Sequence, residues 1–279
     1  MATRRIKPPR SPLSPDPVEP EGAGRSVRLS YEPSSTGGLS PEVPSAVKTM
    51  DVKWVGPCSY DDGYAMQVAR VDEVVAARDH GGDQGTIHLL EHSPAVITIS
   101  RRREAASHLL ALPDRLAADG IEVRETDRGG DITYHGPGQL VAYPNLDLNI
   151  FNLGLHDYMR LLEEAVIRAC AGWGIHAERD PAATGVWVGG SKLSAMGVRV
   201  RKWVSMHGLA INVSTNLRHF DHIVPCGLAG RGVTSLHALL GDAAPGVREA
   251  GERIAGELKA MLLERAELVA ARRREPGTS

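Results

Sequence analysis

The stretch Asp131-Ile-Thr-Tyr-His-Gly-Pro-Gly-Gln-Leu-Val-Ala-Tyr-Pro-Asn-Leu-Asp-Leu148 places a tight turn between two apolar runs. The turn is Gly136-Pro137-Gly138, and the runs are Asp131–His135 and Leu140–Leu148. Turn residues between two apolar runs predict a β-hairpin. Connections of this length favour an antiparallel sheet, and the strict βαβ alternation of a doubly wound fold is absent.

The rest of the chain alternates between apolar runs of strand length and helical periodicity. Further strands are predicted at Val52–Val55, Thr86–Glu91, Ala95–Ser100, Ile121–Glu125, Thr184–Val188, Leu193–Arg201 and Val204–Val213. Helices are predicted over residues 62–79, 104–118, 156–170 and 253–273. The fold class is therefore α+β, with a mixed, mainly antiparallel sheet flanked by helices.

Composition divides the chain at about residue 47. Nine of the 18 prolines fall in residues 1–47, which hold few large apolar residues. Such a segment buries too little surface to offset its ordering entropy, so a disordered N-terminal extension is predicted. Residues 48–275 are long enough for a single domain with a substantial core.

Charge and cysteine content narrow the function classes. The net charge is −2, with both signs interleaved, which gives no reason to expect nucleic acid. No run approaches the ~18–20 apolar residues that span a bilayer, and no secretory signal is recognised. Three cysteines, an odd and sparse set, indicate free thiols in a reducing compartment, so a cytoplasmic protein is expected.

Two residues have a context that suggests acyl-transfer chemistry. Cys226 lies between Pro225 and Gly227, where an irregular turn can present sulfur to a cleft. Lys192 lies in a glycine-rich turn, in a chain with 26 arginines and six lysines. An ammonium can lower the pKa of a nearby thiol from about 8.5 and then exchange protons, which guanidinium cannot do. Taken alone, Cys226 also suits an inert cysteine and Lys192 an exposed turn residue.

Histidines offer weaker signals. His135 and His207 each lie beside glycine and suit either a packed role or a part in a Cys–His pair. The set His219, His222 and Cys226 has no second ligand pair, and His88 and His92 lie outside helical sequence, so no metal site is predicted. Gly185–Lys192 lacks the Gly-Lys-Ser/Thr ending of a phosphate loop.

Five segments together resemble the lipoyl/octanoyl transferase family, over roughly residues 52–240. They are Arg128-Gly-Gly-Asp-Ile-Thr-Tyr-His-Gly-Pro-Gly-Gln-Leu140, Gly185-Val-Trp-Val188, Lys192-Leu-Ser-Ala-Met-Gly197, His207-Gly-Leu-Ala-Ile-Asn-Val213 and Pro225-Cys-Gly227. The resemblance implies the fold of lipoate- and biotin-protein ligase catalytic domains. It also implies a catalytic Cys226/Lys192 pair that needs no cofactor and no metal. The implied substrate-binding residues are Arg128, Gly129, Gly130, Asp131, Ile132, Thr133, Tyr134, His135, Ala195, Met196, Gly197, Gly208, Leu209 and Ala210.

The family's reaction transfers an octanoyl group from octanoyl-acyl carrier protein, through a cysteine thioester, to a lysine of a lipoyl domain. The implied acceptors are the E2 subunits of 2-oxoacid dehydrogenases and the glycine cleavage H protein. Three alternatives stay open. An ATP-dependent lipoate or biotin ligase would not need Cys226, a carrier-binding module would bind without turnover, and a thiol hydrolase would release octanoate.

Overall fold

The computed structural model describes residues 49–224 and 230–274. The predicted disorder of residues 1–47 and the position of Cys226 therefore lie outside the described residues. The strands are β1 (Asp51–Cys58), β2 (Gly85–His92), β3 (Ala95–Ser100), β4 (Ile121–Thr126), β5 (Ile132–His135), β6 (Gln139–Leu146), β7 (Glu178–Asp180), β8 (Ala183–Val188), β9 (Ser191–Arg201) and β10 (Val204–Asn212). The α-helices are α1 (Tyr60–Ala76), α2 (Pro113–Ala118), α3 (Leu155–Ala171), α4 (Leu236–Leu240) and α5 (Val247–Arg274).

The strands form two sheets. Seven lie in the order β1-β2-β6-β10-β9-β8-β7, and three in the order β4-β3-β5. Among the paired strands of residues 49–224 and 230–274, β1–β2 and β3–β4 are parallel and the other pairs are antiparallel. The predicted α+β class with a mixed, mainly antiparallel sheet is confirmed, although a second, smaller sheet was not predicted.

The predicted hairpin across Gly136-Pro137-Gly138 is wrong. Both strands exist and the turn closes with a 3.1 Å bond from Gln139 N to the Gly136 carbonyl. However, β5 pairs with β3 in the small sheet, whereas β6 lies between β2 and β10 in the large one. Every residue of both strands is buried. Strands that are buried on both faces lack the alternation of polar and apolar residues that helps to identify the neighbouring strand. The pairing of β5 with β6 was therefore predicted from the turn alone.

Alternating residues of the large sheet face two different cores. On β2, Ile87 and Leu89 join the main core with α3 and α5, whereas Leu90 joins a small cluster with Val141 of β6. Helix α1 covers the opposite face from α3 and α5, where Val71 and Val74 contact β10. A separate core lies between the small sheet, α2 and the 3₁₀ turn Leu217–His222. These layers leave space between β5 and the α1 face of the large sheet.

Helical periodicity predicted some ends and missed others. The helix predicted over 104–118 is interrupted: a 3₁₀ turn, Ala105–His108, is followed by α2, which starts at Pro113. Proline fixes its own φ and is favoured in the first turn of a helix, so the helix starts afresh there. Among the described residues, no helix is both long and apolar enough to cross a membrane.

Candidate active site

Two of the predicted substrate-binding segments face each other across β9 and β10. Gly197 is opposite Gly208, Met196 is opposite Leu209 and Ala195 is opposite Ala210 in the antiparallel ladder. The short turn between the two consecutive strands makes these segments direct neighbours.

The glycine-rich segment that precedes β5 crosses this ladder closely. Gly129 N donates a 2.9 Å bond to the Val198 carbonyl on β9. A Cβ added to Gly197 would lie 2.6 Å from the Gly129 carbonyl oxygen, closer than real Cβ contacts come. Because it has no side chain, Gly197 allows the backbone of Gly129 to touch β9. We call this contact the crossing. It lies between two cavities whose walls share Gly130, Asp131, Met196 and Gly197.

The first cavity lies between β5 and the α1 face of the large sheet, with about 480 Å³ of empty space. The predicted substrate-binding residues that line it are Arg128, Gly130, Asp131, Thr133, His135, Ala195, Met196, Gly197, Gly208, Leu209 and Ala210.

The exceptions among the predicted residues are Gly129, Ile132 and Tyr134. Gly129 lines the second cavity instead. Ile132 and Tyr134 point the other way from β5, into the core of the small sheet. Side chains alternate along a strand, so Thr133 and His135 face the cavity while their neighbours cannot.

Four further residues line the first cavity: His207, which was considered only for a Cys–His pair, and Tyr60, Val141 and Tyr143, which were not predicted. Val141 and Tyr143 are two apart on β6 and so share a face. Once Val141 is assigned to a strand, this spacing predicts that Tyr143 lies on the same face. Tyr60 comes from the first turn of α1, and nothing in its local sequence indicates a site.

The histidines around the first cavity are buried and neutral. Burial lowers the pKa of His135 well below its usual value, and the neighbouring His92 and Arg128 act in the same direction. Burial also lowers the pKa of His92 to about 4. His92 contacts the Tyr143 hydroxyl at 2.6 Å through Nε2. Neutral rings keep hydrogen-bonding capacity without adding charge beside an apolar cavity.

A hydrogen-bond relay connects His135 to the strand that carries Lys192. His135 Nδ1 is 2.7 Å from Gln139 Oε1, and Gln139 Nε2 donates to Asn212 Oδ1 at 2.9 Å. Asn212 Nδ2 in turn donates to the Thr234 carbonyl at 3.0 Å, and Thr234 N donates to the Lys192 carbonyl at 3.0 Å. These contacts fix the position of Lys192 relative to the cavity wall.

Lys192 lies near the start of β9 and borders two cavities. It lines the second cavity, of about 870 Å³, together with Gly130, Asp131, Met196 and Gly197 of the crossing. It also lines a smaller third cavity, of about 310 Å³, which shares Thr133, Ala195 and Ala210 with the first cavity. Lys192 is therefore near the junction of these spaces.

The Lys192 side chain is buried and has an unusual environment for a cation. Only 6% of the residue is exposed, and within residues 49–224 and 230–272 its Nζ atom has no hydrogen-bond partner. The nearest aromatic face is that of Trp187, whose centroid is 4.8 Å from Nζ. A buried ammonium without a hydrogen bond is costly, which makes Lys192 a candidate functional group.

Of the three cysteines, two are described. Cys170 is buried on α3, and burial raises the pKa of its thiol to about 12. Cys58 is half-buried at the end of β1, and burial, followed by the charge of Asp62, raises its pKa as well. Neither supplies much thiolate at neutral pH. The chain does return to Lys192 soon after Cys226, because Lys192 N donates a 2.9 Å bond to the Gly232 carbonyl.

The histidines that were considered for a metal have other partners. His219 Nδ1 is 2.8 Å from the Tyr134 hydroxyl, and His222 Nε2 is 2.7 Å from Asp119 Oδ2. His88 Nδ1 is 3.2 Å from the side-chain oxygen of Asn145. Each ring therefore has a local structural partner.

Solved structures define the class of fold. The bipartite lipoate protein ligase of Thermoplasma acidophilum aligns with a TM-score of 0.53 at 16% identity, over 80% of this chain and 92% of that chain. A lipoate-protein ligase A bound with ATP aligns with a TM-score of 0.54 at 18% identity, over 80% and 94% of the two chains. The fold is that of lipoate protein ligases.

The sequence comparisons give the family. The profile of the lipoyl protein ligase A/B catalytic domain matches residues 63–259, and the chain belongs to this family. An octanoyltransferase of Bacteroides fragilis is 44% identical over 225 residues, which are 78% of this chain and 100% of that protein. An octanoyltransferase of Rubrobacter xylanophilus is 49% identical over 174 residues, 62% of this chain and 77% of that one. The predicted family resemblance is confirmed.

Proposed function

We propose that this protein is an octanoyltransferase that works through a thioester on Cys226. The donor is octanoyl-acyl carrier protein, and the acceptor is a lysine of the lipoyl domains of 2-oxoacid dehydrogenase E2 subunits or of the glycine cleavage H protein. The names of the relatives support the octanoyl group. The observation that carries the mechanism is the buried Lys192, whose ammonium has no hydrogen-bond partner among the described residues.

An unpaired buried cation favours an anion beside it. A cysteine thiolate is such an anion, and a nearby ammonium lowers the pKa of a thiol. Cys58 and Cys170 have raised thiol pKa values, which makes either one a poor nucleophile. The backbone bond from Lys192 to Gly232 ties Lys192 to a segment only six residues beyond Cys226. These facts support Cys226 as the partner of Lys192.

The first cavity suits the acyl chain. Val141, Ala195, Met196, Leu209 and Ala210 give it apolar walls, and the neutral histidines add no charge. Burial of an octanoyl chain there is favoured by about 0.8 kcal/mol for each methylene that leaves water. Polar groups lie toward the crossing with Gly130 and Asp131, where the second cavity begins.

The reaction then has two acyl transfers. The Cys226 thiolate attacks the thioester carbonyl carbon, a new C–S bond forms and the C–S bond to the carrier breaks. The carrier thiolate leaves and takes up a proton from the Lys192 ammonium, which becomes neutral. The neutral amine of the acceptor lysine next attacks the Cys226 thioester, an amide C–N bond forms, and the Cys226 thiolate is released. The proton that the amine loses passes to Lys192 in its neutral form. A thioester is consumed to make an amide, so no ATP is needed.

The test is intact-protein mass spectrometry after mixing with octanoyl-acyl carrier protein in the absence of acceptor. A gain of one octanoyl group that hydroxylamine removes is expected for the wild type and for Cys58→Ser. Cys226→Ser should gain nothing. Cys58→Ser is the matched control because it removes another thiol that is not fully buried.

An octanoyl group on the wild type that persists in Cys226→Ser would exclude Cys226 as the nucleophile. Absence of any adduct, together with octanoylation of a lipoyl domain from free octanoate and ATP, would instead assign the chain to the ligases. Rapid release of octanoate without an acceptor would assign it to the hydrolases.

A further inference from the structure

The second cavity is lined by Arg102, a cationic residue that has no role in the proposed chemistry. Its ionisable lining residues are Arg102, Asp131 and Lys192. The Asp131 Oδ1 atom accepts a 2.8 Å bond from Ile132 N, and its Oδ2 atom is 2.8 Å from His108 Nδ1. Two cations against one carboxylate give the cavity a net positive charge, which favours an anionic ligand.

Arg102 is held at this position by its backbone while its side chain stays available. Arg102 N donates a 3.3 Å bond to Ser100 Oγ, which donates a 3.0 Å bond to the Gly130 carbonyl. The residue is therefore tied to the crossing between the two cavities. Arg102 is exposed, and no ion pair joins it to a carboxylate of the described residues.

The other wall of the cavity is apolar. Leu155 and Met159, one turn apart on α3, line it, and Leu155 is half exposed although it is a large apolar residue. A ligand for this cavity therefore has an apolar or amide-rich stretch and an anionic group near Arg102. Guanidinium binds phosphate in a planar, bidentate geometry, which makes a phosphate the best match for the anion.

We propose that the second cavity binds the prosthetic arm of the acyl donor, an amide-linked chain that ends in a phosphate ester, and that Arg102 binds this phosphate. The proposal rests on the proposed function, because it extends the donor from the thioester to its arm. The thioester end then lies at the crossing beside Lys192, and the acyl chain enters the first cavity.

Charge distinguishes the donor arm from the other substrate. The acceptor presents a lysine amine, which carries a positive charge in water. A cavity with two cations and one carboxylate has a net positive charge, so it opposes a further cation and attracts an anion. The donor arm is thus the better occupant of this cavity.

The experiment uses two donors that differ only in the phosphate: octanoyl-4′-phosphopantetheine and octanoyl-pantetheine. Acylation of the full-length protein is followed by intact mass under single-turnover conditions. With Arg102→Gln, we expect kcat/KM to fall about tenfold for the phosphorylated donor and to stay unchanged for the other, because a charged hydrogen bond is lost only with phosphate. Arg102→Lys should recover part of the loss.

Arg103→Gln is the matched control, since Arg103 is an exposed neighbour that lines neither cavity. It should leave both donors unaffected. An equal effect of Arg102→Gln on both donors, or no effect on either, would overturn the proposal while leaving Cys226 acylation intact. If Arg102→Gln instead raises only the KM for the lipoyl domain, measured in multiple-turnover transfer, Arg102 would be assigned to the acceptor. Failure of the wild type to form an adduct with either donor would contradict the proposed function itself.

Discussion

Asp127 and His207 are joined by a 2.9 Å contact between Oδ1 and Nε2, although 80 residues separate them in the chain. The same carboxylate accepts a 2.7 Å bond from the Tyr64 hydroxyl and pairs with Arg199. His207 has a φ of +57°, a left-handed conformation that is uncommon outside glycine. Asp127 thus helps to hold a strained residue whose ring forms part of the first cavity.

Replacement of Asp127 with Asn should destabilise the protein. The side chain is only 7% exposed, and the change removes the charge that pairs with Arg199 while one oxygen becomes a donor. A loss of about 1–3 kcal/mol in the free energy of unfolding is expected, measured by urea titration. The control is Asp72→Asn, which breaks a pair with Arg201 at an aspartate that is 55% exposed. It should change stability by less than about 1 kcal/mol, and equal losses would show that burial of Asp127 does not matter.

The buried histidines predict a loss of stability in mild acid. Burial lowers the pKa of His92 to about 4, and it lowers that of His135 well below its usual value. Between those values and the usual 6.5, the unfolded chain binds protons that the folded chain does not. Stability is therefore constant above about pH 6.5 and falls as the pH falls below it.

Urea titrations at pH 7 and pH 5 measure this loss. His92 alone should contribute on the order of 2 kcal/mol, because its pKa is shifted by more than two units. In His92→Gln the difference between the two pH values should shrink by about that amount. His156→Gln is the control, since that ring is exposed at the start of α3. An unchanged pH difference in His92→Gln would mean that His92 is charged in the folded protein.

The sequence predicted strands better than their partners. Leu193–Arg201 and Val204–Val213 were assigned almost to their observed ends, and the short turn between them made their pairing predictable. Asp131–His135 and Leu140–Leu148 were assigned as well, but their pairing was wrong because both are buried on every face. Which strand lies beside a fully buried strand depends on contacts that are remote in sequence.

The candidate site was predictable where it follows local motifs. Ile132, Thr133, Tyr134 and His135 were all predicted to bind substrate. Because side chains alternate along a strand, Thr133 and His135 face the cavity, whereas Ile132 and Tyr134 face the core of the small sheet. Tyr60 was missed because it reaches the cavity through the packing of α1 on the sheet, a tertiary contact without a local signature. The pairing of Asp127 with His207 had no signal in the sequence for the same reason.

Two glycines of α5 should respond oppositely to alanine. Gly256 is exposed, and a Cβ there would meet nothing within 4 Å, so Gly256→Ala should raise the free energy of unfolding by up to about 1 kcal/mol through helix propensity. Gly251 is buried, and its Cβ would lie 2.7 Å from Leu140 Cδ1. Leu140 is itself fully buried, so overpacking should outweigh propensity and lower stability by about 1 kcal/mol.

Urea titration of both variants under one set of conditions is the measurement. The helical backbone is common to the two sites, which makes each variant the control for the other. A gain in both would show that Leu140 can move away from α5 at little cost, and the contact of α5 with β6 would then be looser than the structure indicates.

Lys192→Met should separate stability from activity. Methionine matches the length of lysine without its charge, and the buried ammonium lacks a hydrogen-bond partner within the described residues. Its removal is therefore expected to leave the free energy of unfolding unchanged or to raise it. Octanoyl transfer to a lipoyl domain should fall by about 10²–10⁴, the usual contribution of positioned proton transfer. Lys259→Met on α5 is the control and should retain full activity. Retained transfer in Lys192→Met would exclude this lysine from the chemistry. A large loss of stability would show that the cation has a structural partner, and that partner would then explain its burial.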